Sequence, residues 1–330
     1  MPVDHAQLTA LFTEAMDLDA DGQRRLIESV ADPDLRRELA EMLDADGHIV
    51  TALRTAGLKP TDFSGSFRRP PPEVPGYRLL HPLGTGGMGT VYAAEDAVTK
   101  QPVAIKVLEV AADEALARFR AEAAIMEKLD HPNIARVLAA GDTRSRPFIV
   151  MEQIDGVTLD AFVAAHAPAL AQRLALFAEI CDTLEHAHQC GVIHRDLKPA
   201  NIMVRRDNTV SIVDFGVARA PSSRGRTQIG DLLGTPLYMS PEQALGRSSE
   251  VDARSDVYSL GVILFELVAG RPPYELKNLS LPMAVRAITS TPPGHLDDPK
   301  LDAICARALA KAPADRFASA AELAAAVRAC

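Results

Sequence analysis

Residues 194–201 read HRDLKPAN, and the reading of those eight positions decides the rest of the chain. They follow FAEICDTLEHAHQCGVI, residues 177–193, an apolar run at helical spacing that ends near Gly191. A tight loop at that helix end must therefore hold Asp196, Lys198 and Asn201. A little further on, VSIVDFG at 210–216 reads as part of a strand pair and carries Asp214. Two carboxylates and an amide oxygen suit magnesium, a hard cation that takes few protein oxygens and completes its shell with phosphate and water. Asp196 comes ahead of the Lys and the Asn, where a proton acceptor would stand.

Working outward toward the N-terminus, LGTGGMGTV at 83–91 lies between two strand-like runs. Gly84, Gly86 and Gly89 give G-x-G-x-x-G-x-V, in which missing side chains let backbone N–H groups approach phosphate oxygens. A glycine-rich hairpin turn fits the same letters. A dinucleotide fingerprint also fits, but it should open a helix, and here a strand follows. Some fifteen residues on, VAIK places Lys106 at the end of an alternating apolar strand. A lysine among buried neighbours is costly unless an anion meets it. The expected protein partner is Glu122, within RFRAEAAIM at 118–126, although both could simply face solvent. Together these stretches favour an ATP cleft.

The wider sequence sets the frame. The 330 residues are 47% hydrophobic and 24% charged, with no Trp, a composition that suits a folded globular chain. A net charge of −9 argues against a nucleic-acid surface. Cys181, Cys190, Cys305 and Cys330 show neither a CxxC spacing nor a disulfide ladder, which fits a reducing cytosol. The first residues are acidic where a secretory leader is basic. The longest apolar stretch, VYSLGVILFELVAG at 257–270, is short and carries Glu266, so it reads as a buried helix. The expected location is cytoplasmic, with membrane tethering only if the chain is part of a longer one.

The Pro, Gly, Ser and Arg of TDFSGSFRRPPPEVPG mark a linker over 61–76. Before it, residues 1–60 read as a helical extension. Within that extension DLDADGQRRLIE, residues 17–28, fits a calcium loop, with Asp17, Asp19, Asp21 and Glu28 at ligand positions and Gly22 at the turn. Arg24 and Arg25 put positive charge where the cation would sit, which favours an acidic helix cap instead. After the linker, residues 77–330 open with strand-like runs to about 152 and turn mainly helical from about 156.

Taken in order, G-x-G-x-x-G-x-V, V-A-I-K, H-R-D-L-K-P-x-N and D-F-G resemble the eukaryotic-type, or Hanks-type, serine/threonine protein kinases, most closely the bacterial members. The likeness runs from residue 77 to about 328. It implies an α+β, two-lobed fold: a small antiparallel-sheet lobe with one helix, about 77–152, and a larger mainly helical lobe, about 156–330. It also implies that Leu83, Gly84, Thr85, Gly86, Gly87, Met88, Gly89, Thr90, Val91 and Ala104 enclose ATP. Lys106, held by Glu122, would take the α- and β-phosphates. Met151 would guard the back of the adenine pocket, with Glu152 and Ile154 in the hinge. Asn201 and Asp214 would ligate magnesium, for which manganese can stand in. Asp196 would orient the substrate hydroxyl and Lys198 neutralise the phosphoryl group in flight. Met126, Val137, His194 and Phe215 resemble the apolar column of an active kinase, though ordinary core would read the same.

Lys198 points to serine or threonine acceptors. GTPLYMSPE, residues 234–242, resembles a peptide-docking segment that small-molecule kinases lack, so the expected partners are protein substrates. Thr235 would bond Asp196 and Lys198, Glu242 and Arg316 would pair in the interior, and Asp256 would brace the catalytic loop. Ser240 replaces the commoner Ala. Arg195 beside Asp196 implies ordering by phosphorylation. Thr227 is the first expected site, with Ser222 and Ser223 behind it, and a transient dimer would allow the reaction in trans. The alternatives are a pseudokinase scaffold, which would lack Lys106, Asp196, Asn201 or Asp214, and a small-molecule kinase, which would lack the docking segment.

Overall fold

The computed structural model describes residues 72–86, 89–108, 129–143, 146–215, 236–276 and 279–330, together with positions 25, 26, 29, 30, 32, 36, 123, 126 and 127. Contacts divide the chain into a smaller unit, residues 1–68, 224–226 and 278–284, and a larger one holding the rest. In the smaller unit, the Arg36 guanidinium donates to the Val30 carbonyl at 2.8 and 2.6 Å. The candidate calcium loop lies outside the described residues except for Arg25 and Leu26, which say nothing of its ligands. Apart from the first turn of the helix at 281–290, all that follows concerns the larger unit.

Its first lobe is one sheet of five strands: β1 (Tyr77–Gly86), β2 (Gly89–Asp96), β3 (Pro102–Leu108), β4 (Val137–Thr143) and β5 (Arg146–Glu152). They run in the order β1-β2-β3-β5-β4, with all neighbours antiparallel. In the central strand β3 the two-residue period sorts the side chains. Val103, Ile105 and Val107 enter a core with Ala94, Phe148 and Val150, which leaves Ala104 and Lys106 on the opposite face. Register sets Lys106 across from Val91 and Ile149, and Ala104 across from Met151. Gly89 opens β2 at φ +145°, and a Cβ there would stand 2.0 Å from the Val107 carbonyl oxygen, so the close approach of β2 to β3 admits only glycine.

The second lobe holds α1 (Leu159–His166), α2 (Leu170–Gln189), α3 (Pro241–Ala244), α4 (Ala253–Ala269), α5 (Leu281–Ser290), α6 (Pro299–Ala308) and α7 (Ala320–Arg328). A small antiparallel sheet of β6 (Gly156–Thr158), β7 (Ile202–Arg205) and β8 (Val210–Ile212) joins them. Helix α4 is apolar nearly all round, the pattern of a buried helix. Val257, Leu260, Ile263, Leu264 and Phe265 sit in one core with Phe177, Ile180 and Leu184 of α2 and Leu323 of α7. The Asp252 carboxylate caps its start by accepting from the Arg254 N–H at 2.7 Å, and Gly270 ends it at φ +67°. Glu266 is accommodated in this helix because the Tyr238 hydroxyl donates to it at 2.8 Å. Among the described residues no helix is long and apolar enough to cross a membrane.

The architecture is the two-lobed α+β fold the motifs imply, with two local departures from the sequence reading. The run IARVLAAG reads as a single strand, but pairing in the first sheet starts only at Val137. The residues before it bond to the other lobe: the Ile212 N–H donates to the Asn133 carbonyl at 2.8 Å and the Ala135 N–H to the Ile212 carbonyl at 3.0 Å. Asp214 likewise lies two residues beyond the end of β8 rather than within the strand.

Candidate active site

The loop between α2 and β7 carries the densest chemistry and is fixed from below. Asp256, near the start of α4, is 1% exposed, and its carboxylate accepts three hydrogen bonds. They come from the backbone N–H of His194 at 2.8 Å, that of Arg195 at 2.9 Å, and Nε2 of His188 at 2.8 Å. Burial alone would raise the Asp256 carboxyl, but His188 and the loop amides outweigh it and hold it below its ordinary value. The buried His194 ring is read by its partners. Nε2 lies 3.2 Å from the Val213 carbonyl, so it carries the proton, and Nδ1 accepts from the Asp196 N–H at 3.3 Å. Burial lowers its pKa, which matches a neutral ring.

On this base the polar side chains converge. Lys198 Nζ donates to Asp196 Oδ2 at 3.0 Å, and Asn201 Nδ2 donates to the Asp196 carbonyl at 2.8 Å. That bond turns Oδ1 of Asn201 the other way, as an acceptor. Lys106 from β3 forms an ion pair with Asp214, which sits in the left-handed region at φ +60°. Phe215 follows, packed beside His194 with ring centroids 4.6 Å apart. Met126 and Phe215 are buried in the same core, and Val137 packs against it, which brings together the four residues of the expected apolar column. The Asn201 amide oxygen and the Asp214 carboxylate are hard oxygen donors, a set that suits a magnesium-sized cation shared with phosphate. Beside Lys106 and Asp214 a cavity is lined by Leu108, Ala135, Val137, Ile149 and Met151. Glu152 and Ile154 follow Met151 at the end of β5, the Glu152 N–H donating to the Arg136 carbonyl at 2.9 Å and its side chain meeting Arg205 at 3.2 Å.

The glycine-rich turn is described in part. Leu83, Gly84, Thr85 and Gly86 belong to β1, and Gly89, Thr90 and Val91 to β2, with Gly86 paired to Gly89. Gly87 and Met88 lie outside the described residues, as do Glu122, Ser222, Ser223, Thr227 and Thr235. The partner seen on Lys106 is Asp214, 108 residues away.

Below the loop, Arg316 and Glu242 meet in the interior. Nη1 and Nη2 of Arg316 donate to Oε1 and Oε2 of Glu242 at 2.9 and 2.8 Å, and Ser255 adds a further hydrogen bond. Burial would raise the Glu242 carboxyl, and these donors hold it low instead. Besides Lys106 on Asp214, two contacts were not anticipated from sequence, His188 on Asp256 and Gln243 Nε2 on the Arg195 carbonyl at 2.8 Å. Ser240 and Gln243 spell a capping box, S-x-x-Q, but nothing in that pattern names the second partner.

Residues 77–326 match the protein kinase domain family. A serine/threonine-protein kinase of Mycolicibacterium smegmatis, PknB, is 42% identical over 262 residues, which cover 75% of this chain and 41% of that protein. Pkn1 of Myxococcus xanthus is 40% identical over 255 residues, covering 74% and 36%. The match thus spans less than half the length of these relatives. Among solved structures, the PknI kinase domain of Mycobacterium tuberculosis superposes with a TM-score of 0.59 at 32% identity, covering 78% of this chain and 97% of that one.

Proposed function

Because the chain belongs to the protein kinase family, among the bacterial Hanks-type serine/threonine kinases, we propose that it transfers the γ-phosphoryl group of ATP to Ser and Thr hydroxyls of proteins. The observation that carries this reading is the convergence of Asp196, Lys198 and Asn201 on one loop, with the Lys106–Asp214 pair in the same unit. Family membership implies ATP and a divalent metal. Magnesium is the proposed ion, held by Asn201 and Asp214, and manganese is the substitute. When bound, the metal supplies positive charge to the phosphate oxygens.

The chain's own residues do the rest. Lys106 holds the α- and β-phosphates, and the glycine-rich turn and the Met151–Ile154 hinge enclose the nucleotide. The acceptor hydroxyl gives its proton toward Asp196 as its oxygen bonds to the γ-phosphorus and the bond to the ADP oxygen breaks. Lys198 offsets the negative charge of the group in transit. Little covalent chemistry falls to the protein, so the rate comes from positioning and fixed charge. Glu242 and Arg316 hold the segment that takes the peptide, and Thr227 accepts the phosphate that orders the enzyme. Four free cysteines and the use of ATP support a cytosolic reaction.

The test is incubation with radiolabelled ATP and magnesium, offering a protein and a small alcohol as acceptors, followed by mapping of labelled residues. Label on Ser or Thr of protein supports the reading. Label on the alcohol alone, or none at all, overturns it.

A further inference from the structure

We infer that Gln243 is a positioning residue that sets the direction of Asp196 by clamping the peptide plane between Arg195 and Asp196. The inference rests on the proposed kinase reading and adds to it a path from the peptide-docking segment to the reacting hydroxyl. Arg195 stands at φ +63°, a left-handed conformation that costs a non-glycine residue about 1–2 kcal/mol and persists only where its surroundings enforce it. Its own N–H is held by Asp256 at 2.9 Å. The plane that follows is gripped at both ends, its carbonyl by Gln243 Nε2 at 2.8 Å and its N–H by His194 Nδ1 at 3.3 Å. Rotation of that plane would change ψ of Arg195 and φ of Asp196, the torsion from which the Asp196 side chain departs, so the clamp fixes the direction of the carboxylate. The His194 contact is long, so the Gln243 contact is the stronger restraint.

The amide of Gln243 is itself oriented. Its Oε1 accepts from the Ser240 N–H at 3.0 Å and from the Ser240 hydroxyl at 3.1 Å, so the NH₂ end must face Arg195. Ser240 is wholly buried, and its neighbour Glu242 is locked by Arg316. Gln243 is thereby tied to the segment that carries Ser240 and Glu242. Ser240 supplies both donors that aim the amide, and only the hydroxyl would be lost with the commoner alanine.

Gln243→Met keeps size and removes the donor. In the otherwise intact chain its kcat toward a Ser/Thr protein substrate should fall on the order of tenfold, while KM for ATP and the melting temperature stay near wild type. Ser240→Ala, which keeps the backbone donor, should fall about two- to threefold. In an Asp196→Asn background, Gln243→Met should produce no further loss, because the group it aims is already disabled. Wild-type kcat in both folded variants, or the same tenfold loss on top of Asp196→Asn, overturns the inference. A wild-type chain with no transfer to protein would instead overturn the kinase reading. If Gln243→Met fails to fold, the Ser240→Ala measurement decides.

Discussion

The Lys106–Asp214 pair and the Glu242–Arg316 pair join the same kinds of group in opposite surroundings. The Lys106 and Asp214 side chains are 12% and 26% exposed, and Lys198 and Asp196 beside them 25% and 18%. Arg316 and Glu242 are 0% and 2% exposed. Arg316 also donates to the carbonyls of Ala310, Arg254 and Lys311, and lies 5.1 Å from the Tyr258 ring centroid. The charges proposed to meet a ligand are partly wet, so a partner can be exchanged at little desolvation cost. Charges that hold the frame are dry and bonded many times over, so exchange is closed to them.

The sharpest way to break this contrast is to remove one member of the dry pair. Arg316→Met leaves Glu242 buried against Ser255, and by the scale for half a buried pair it should cost about 3–5 kcal/mol of stability in urea denaturation. Replacing both by apolar residues of similar volume should cost far less. Equal losses in the single and double variants would mean that the pair is not what frames the segment. The depressed Glu242 and Asp256 carboxyls add a pH signature. Their stabilisation is complete above the ordinary carboxylate range and is lost as pH falls through it, below about pH 4.

The wet pair should respond the other way, in rate rather than stability. Asp196→Asn and Lys106→Ala should each cut phosphoryl transfer by about 10²–10³-fold, the scale for removing a group that stabilises charge in the transition state. Their melting temperatures should stay within a few degrees of wild type. Near-normal turnover in either variant would remove that residue from the assigned chemistry. A milder effect is expected outside the described residues. Thr227→Ala should lower activity several-fold, with phosphate found chiefly on Thr227 and secondarily on Ser222 or Ser223 in active protein. Active enzyme with Thr227 unmodified by peptide mapping would overturn this assignment.

The smallest effect probes a cation between the two extremes. Lys311 donates to the Tyr274 hydroxyl at 2.9 Å and the Ile288 carbonyl at 2.7 Å, and burial, with Arg316 nearby, lowers its pKa to about 8. The folded state thus disfavours the proton, and stability should rise as pH climbs above about 8. The gain should be on the order of 1 kcal/mol by pH 9.5, discounted for the exposed part of the side chain. Tyr258 and Tyr274, whose hydroxyls burial pushes up, pull the opposite way only above about pH 10. Urea midpoints of wild type and Lys311→Met at pH 7.5 and 9.5 check it, and a parallel rise in both chains would clear Lys311.

Two kinds of contact separate what the sequence displays from what it conceals. HRDLKPAN is readable because one loop needs all of its polar groups within eight consecutive positions. The fold followed from motif order and from the shift between strand and helix spacing. The bonds from Lys106 to Asp214, His188 to Asp256 and Gln243 to the Arg195 carbonyl span 108, 68 and 48 positions. Contacts at such distances leave no periodic trace, and one that ends on a backbone carbonyl places no demand on residue identity there. The late start of the IARVLAAG strand was hidden for the same reason, since its first residues bond to β8 through backbone alone.

The Glu242–Arg316 pair also has a bearing on biosynthesis. A ribosome delivers Lys106, Asp196 and Asp214 well before Arg316, which lies 74 positions after its partner. A partial chain can therefore carry every group assigned to the nucleotide and still have a buried glutamate with no guanidinium to receive it. Translation order alone leaves Glu242 without its partner until nearly all of the helical lobe has been made.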